Sequence, residues 1–154
     1  MNPELELIAK TKGKILGVDL GDTRTGIAVS DPSRLISSGL ETISPGGIEK
    51  TADAVADIAK ANGVCAIVVG LPVNMDGSEG ARAAKCRKFA DLLRMRLGES
   101  VLVAMFDERM TTMTASRYLN ETNTRGKKRK GVIDTLSAQI ILQNAIDRLR
   151  YMAN

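Results

Sequence analysis

Histidine and tryptophan are both missing from this 154-residue chain. With histidine goes the side chain used most often for proton transfer near neutral pH and for zinc ligation. Only two cysteines occur, Cys65 in an apolar run and Cys86 in a helical stretch, and neither belongs to a CxxC pair. Metal-thiolate and dithiol redox chemistry are thereby excluded, and both thiols read as buried or incidental groups in a reducing compartment. No GxSxG string is present, and without an imidazole base no serine or cysteine nucleophile is set up. Aromatic residues make up 3%, namely Phe89, Phe106, Tyr118 and Tyr151, and they do not cluster. Stacking of single-stranded bases is therefore not expected to dominate recognition. No apolar run approaches the ~18 residues of a membrane span, and no basic leader precedes an apolar core, so a cytoplasmic protein without a membrane partner is expected.

What is present fits one compact domain. At 44% hydrophobic residues the chain can bury a sizeable core and is too short for two ordinary domains. We divide it into a lead segment, 1–13, and a single domain, 14–154. The net charge of +4 is local in origin. Arg125, Lys127, Lys128, Arg129 and Lys130 lie within six residues, and taking those five from 22 leaves 17 basic against 18 acidic residues. The positive field thus belongs to an arm, and TNTRGKKRKG, with glycines and no apolar residue, predicts a mobile basic loop over 122–131. Such a loop attracts phosphate in a salt-sensitive, sequence-blind way, although charge alone equally describes a solvated surface loop.

Residues 1–13 carry no clear structural assignment. KILGVDLG and TGIAVSD predict two strands joined by the turn GDTR, and RLISSGLETI a third. Apolar spacing predicts a helix from Ile48 to Ala61, ended at Asn62-Gly63. VCAIVVGLP is a continuous β-branched run, as in a parallel strand covered on both faces. A helix over 79–97, the strand VLVAMFD, a helix to about Asn120 and a last helix over 133–151 follow. Three antiparallel strands and then helix-strand alternation predict an α/β fold, a mixed five-stranded sheet flanked by helices.

Three carboxylates interrupt this pattern. Asp19 ends an apolar strand, Glu108 follows another, and Asp134 stands at the head of an apolar helix. Each has a plain alternative: Asp19 as a turn former, Glu108 as the ion-pair partner of Arg109, and Asp134 as an N-cap. Asp134 inside the helix shares a stripe with Ala138, Ile141, Leu142, Ala145 and Leu149 and faces the core. If the strands carrying Asp19 and Glu108 are near neighbours and the last helix crosses their ends, three negative charges converge and repel. Two Mg²⁺ or Mn²⁺ ions about 3.5–4 Å apart neutralise such a cluster and clamp the entering and leaving oxygens of a phosphodiester displacement. The expected activity is therefore metal-assisted hydrolysis by in-line attack of water.

The strings GVDLGDTRTGIAVSD, VVGLPVNMDGSEG, FDERMTT and VIDTLSAQIILQ, in this order and spacing, resemble the YqgF (RuvX) family over roughly Lys14 to Leu149. That resemblance implies a ribonuclease-H-like fold and a cytoplasmic nuclease trimming the 5′ end of pre-16S rRNA, or a Holliday-junction resolvase acting on branched DNA. It implies that Asp19, Glu108 and Asp134 occupy the acidic, metal-site positions. Beside them, Arg24 and Arg109 are candidates for bidentate phosphate contact, with surface ion pairing as the alternative. Gly70, Pro72 and Asn74 can shape a substrate groove, and Thr111 can touch substrate or cap a helix. Two other classes stay open: an ATP-binding domain built on the DLGDTRTG hairpin, for which 154 residues leave no second phosphate loop, and a non-catalytic module docking on a ribosomal particle through the basic loop. Paired cuts in a four-way junction call for a symmetric dimer. The sequence points to no dimer face, and a monomer or weak homodimer is expected.

Overall fold

A computed structural model describes residues 2–110 and 130–153, with backbone only over 130–134 and at 153. The expected helix between Thr111 and Asn120, and the basic residues from Arg125 to Arg129, lie outside the described residues. The chain runs α1 (Pro3–Ala9), β1 (Ile15–Asp19), β2 (Thr25–Ser30), β3 (Ser37–Ile43), α2 (Ile48–Ala61), β4 (Ala66–Leu71), α3 (Ala81–Leu97), β5 (Leu102–Asp107) and α4 (Lys130–Ala153). A single 3₁₀ turn, Glu108–Met110, follows β5.

The five strands form one sheet in the order β3-β2-β1-β4-β5. β1, β2 and β3 are antiparallel neighbours, while β4 lies parallel to both β1 and β5. Every residue of β4 is buried, as its uninterrupted apolar run requires of a strand covered on two faces. β3 does not alternate as its sequence predicts. Only Ser37 is fully buried: this strand is a sheet edge, where Leu40 and Ile43 are half-buried against the core while Ser38, Gly39 and Glu41 are exposed.

Side chains alternate across the sheet and so feed two cores. Leu16, Val18, Ile67, Val69 and Val103 face α2 and α3. Ile15, Ala28, Val68, Ala104 and Phe106 face α1 and α4. α4 carries the predicted stripe, with Ala138, Ile141, Leu142, Ala145 and Leu149 all buried. It begins at Lys130, three residues before the sequence suggests, so Lys130 and Gly131 are helical rather than loop.

The lead segment holds an element that the sequence pattern does not announce. Pro at the first helical position and Asn2 as N-cap start α1, and Leu5 and Ile8 drop into the α4 core. The Asn2 side chain also donates to the Met105 carbonyl at 2.7 Å, and the Arg94 guanidinium donates to that of Val103 at 3.0 Å. Together they occupy carbonyls on the outer edge of β5. Behind α1, Arg34 is 8% exposed and donates to the carbonyls of Gly13 and Ile8, the Thr11 hydroxyl and the Cys65 sulfur. It ties the lead to the β2–β3 connection.

Three glycines set how closely α4 lies on the sheet. A Cβ at Gly17 would stand 2.6 Å from the Leu142 Cβ, one at Gly39 would stand 2.7 Å from the Thr135 Oγ1, and one at Gly70 would stand 2.6 Å from the Ile141 Cδ1. Along β3, Thr135 sits over Gly39, the Ser37 hydroxyl donates to the Gln139 carbonyl, and the Gln143 amide reaches the Leu35 carbonyl. The helix therefore runs backwards along β3, and its amino-terminal turns lie toward the carboxyl ends of β1 and β4.

Candidate active site

Asp19 closes β1. Ile15 and Gly17 face α4, so Asp19, two residues further, takes the same face at the sheet's end. In the parallel register Val18 pairs with Val69, which brings Asp19 level with Gly70. Gly70 in turn pairs with Phe106, two residues before Glu108. β1 and β5 are therefore separated by one strand. At the crossing point that strand carries no side chain.

Glu108 uses this gap. The strand ends at Asp107, and the following 3₁₀ turn carries the Glu108 carboxylate back over Gly70, where a Cβ would meet its Oε2 at 3.1 Å. Burial pushes the Glu108 carboxyl above the ordinary glutamate range, the Asp19 charge adds to this, and the Arg82 charge opposes it. Asp19 and Glu108 are thus electrostatically coupled at one end of the sheet. The backbone of residue 134, one turn before Ala138 and beside Thr135, places that residue toward the same end. Asp134 is the fifth residue of α4, so it is not the N-cap; its side chain lies outside the described atoms. Among the described residues no group of three His, Cys, Asp or Glu side chains is gathered for a metal ion.

The basic and polar candidates divide. Arg24 is exposed on the turn between β1 and β2, where a Cβ at Gly21 would stand 2.0 Å from the Arg24 carbonyl oxygen. Only glycine permits that turn. Arg109 does not form the ion pair with Glu108 weighed from the sequence. Its Nε and Nη2 donate to the Asp107 carboxylate at 3.0 and 2.7 Å, and its Nη1 to the Asn74 carbonyl at 3.4 Å. This pairing holds the Asp107 carboxyl below the usual aspartate range. Asn74 closes its own loop: its side chain donates to the Ser78 hydroxyl at 2.9 Å, and its carbonyl accepts from the Gly77 N–H at 2.9 Å. Thr111, Arg125, Lys127, Lys128 and Arg129 lie outside the described residues, and Lys130 is described by its backbone alone.

The sequence reading missed the first turn of α3. The Arg82 Nη2 lies 3.4 Å from the carbonyl of Leu20, the residue after Asp19, and Lys85 pairs with Asp22 at 3.1 Å. Cys86, one turn beyond Arg82, is buried, and that burial with the Glu108 charge pushes its thiol up to about 11. No motif marks these residues; only the fold brings α3 against the end of β1.

The arrangement offers hard oxygen donors at the rim of a sheet, with one carboxylate held against its own charge. Such a pair is suited to a divalent cation with oxygen preference. Residues 13–148 match the family model described as "RuvX: Holliday junction resolvase". The chain is 42% identical over 137 residues to a "Putative pre-16S rRNA nuclease" of Myxococcus xanthus, covering 89% of each chain. It is 41% identical over 149 residues to a protein of the same name from Phenylobacterium zucineum, covering 96% of this chain and 94% of that one. Among solved structures, Thermus thermophilus RuvC in complex with a Holliday junction substrate superposes with a TM-score of 0.62 at 16% identity, over 92% of this chain and 97% of that one. That likeness is one of fold, the ribonuclease-H-like sheet.

Proposed function

The chain belongs to the RuvX family, and from that membership we propose that it is a metal-dependent nuclease hydrolysing phosphodiester bonds, with the precursor of 16S rRNA as its substrate. The observation that carries this reading is the meeting of Asp19 and Glu108 across Gly70, with Glu108 raised by burial and by its neighbour. Two coupled carboxylates at one rim of the sheet, one of them held against its own charge, suit a divalent cation with oxygen preference. The shared name of the curated relatives supports the rRNA substrate.

In this mechanism Asp19 and Glu108 would hold Mg²⁺ or Mn²⁺, with Asp134 completing the set from the first turns of α4. Bound divalent ions stabilise the charge that develops on the entering and leaving oxygens. Gly70 leaves room for the Glu108 carboxylate to lie between β5 and β1, and Ile141 packs beside it on the core side. Water attacks phosphorus in line, the bond from phosphorus to the leaving sugar oxygen breaks, and no covalent enzyme intermediate forms. Arg24 and the basic residues 125–130 draw the phosphate backbone to the site, and the protein works in the cytoplasm as one catalytic domain, 14–154.

A second reading, resolution of branched DNA, is favoured by the description of the matching family itself. Cleavage of end-labelled precursor 16S rRNA and of a synthetic four-way junction, with Mg²⁺, Mn²⁺ or EDTA and with Asp19→Asn as control, separates the readings. Metal-dependent RNA cutting lost in the variant is the expected result. Junction cutting alone would transfer the assignment to a resolvase. No cutting of either substrate by the folded protein would leave a binding module.

A further inference from the structure

The arginine best placed by sequence to grip the substrate is already engaged. Arg109 commits Nε and Nη2 to Asp107 and Nη1 to Asn74, so a phosphate contact there requires breaking a bidentate ion pair. Arg82 stands in contrast. It is the second residue of α3 and exposed, and among the described residues it makes no ion pair; its one contact is the long 3.4 Å approach of Nη2 to the Leu20 carbonyl. That contact fixes its place, for Leu20 directly follows Asp19. The neighbouring cation, Lys85, is paired with Asp22, whereas the Arg82 guanidinium has no carboxylate in direct contact among the described residues. Its field reaches both Glu108 and the buried Cys86.

We propose that Arg82 binds a phosphate of the strand being cut, flanking the Asp19–Glu108 pair from the α3 side while α4 bounds it from the other. The geometry behind this is a planar, five-donor cation held at the edge of the site by a single weak bond. An incoming phosphate oxygen replaces the Leu20 carbonyl without disturbing the fold. Arg109 instead ties the Asn74 loop to the end of β5. This assignment rests on the nuclease reading and names the group that positions its substrate.

The test compares wild type, Arg82→Ala, Arg82→Lys and Arg109→Ala for metal-dependent cleavage of labelled precursor rRNA. Salt dependence of single-stranded RNA binding is measured alongside, with each arginine change placed in an Asp19→Asn background. Arg82→Ala is expected to raise KM about tenfold and to reduce the slope of log affinity against log salt by about 0.7, one phosphate contact, with unchanged thermal melting. Arg82→Lys recovers the slope but only part of the affinity, because the bidentate fork is gone. Arg109→Ala leaves the slope as in wild type. An Arg82→Ala protein that cuts normally with an unaltered slope overturns this assignment alone, whereas failure of wild type to cut overturns the nuclease reading and this one with it.

Discussion

At Glu108 the folded protein holds a proton more tightly than the unfolded chain does, because burial and Asp19 both disfavour the charged form. The sign of the resulting pH dependence follows. The protonated carboxyl favours the fold below the ordinary glutamate value of 4.5, and that advantage is lost as pH rises through the elevated folded-state value. In EDTA, Glu108→Gln is therefore expected to melt near the wild-type temperature at pH 4 and above it at pH 7. Added Mg²⁺ should raise the wild-type melting temperature more than that of the variant. Melting curves of both proteins across this range check it, and a variant that stays below wild type at neutral pH contradicts the coupling. Gly70 gives a second expectation at the same scale. Gly70→Ala places a Cβ 3.1 Å from the Glu108 Oε2 and 2.6 Å from the Ile141 Cδ1, so the carboxylate must move. Under the nuclease proposal, in which Glu108 holds the metal, a shift of about 1 Å lowers rate by about 100-fold, and kcat of this variant should show a loss of that order at saturating metal.

At the scale of elements, the approach of α4 to the sheet sets the site's width. Gly17→Ala meets the Leu142 Cβ at 2.6 Å and, more stubbornly, the Ala138 carbonyl at 3.2 Å, a backbone atom of the helix. α4 must rise from β1, and overpacking of this kind costs about 1–3 kcal/mol. Chemical denaturation should show that loss. Gly17→Ala should also weaken cleavage, since the turns that carry Asp134 move with the helix. Glycine spacing in KILGVDLG reveals that something comes close at position 17. Turn formation explains Gly17 equally well from sequence, and α4 lies more than a hundred residues away in the chain.

Over the whole molecule, the excess of positive charge resides in residues 125–130, apart in sequence from Asp19 and Glu108. Outside residues 125–130 the chain is slightly acidic, and the described site itself is a pair of carboxylates. Neutralising Arg125, Lys127, Lys128 and Arg129 to Gln should therefore weaken nucleic-acid binding and flatten its salt dependence, by about 0.7 in slope for each lost single-strand contact. The metal-dependent cleavage rate at saturating substrate should stay near wild type. A filter-binding titration over a range of salt, paired with single-turnover cleavage, tests this separation; loss of the saturated rate would place those residues in the chemistry instead. Among the described residues no helix is long and apolar enough to cross a membrane.

Most of the elements could be read from the chain because their signals are local. Alternation and β-branched runs marked all five strands, Asn62-Gly63 marked a helix end, and the α4 stripe marked its buried face. The short α1 could not be read, since Leu5 and Ile8 find their partners only in α4 and the sheet. The three carboxylates were visible as polar interruptions of apolar segments. The meeting of Asp19 and Glu108 was not, because it depends on the strand order β1-β4-β5 and on a side-chain-free Gly70 between them. Tertiary structure also decided which arginine is engaged. Arg109 looks available beside Glu108 in sequence but turns to Asp107 and Asn74, while Arg82, in no motif, is carried to the residue after Asp19. Periodicity is written in neighbouring residues, whereas charge pairing depends on distances across space, and only the folded chain sets those.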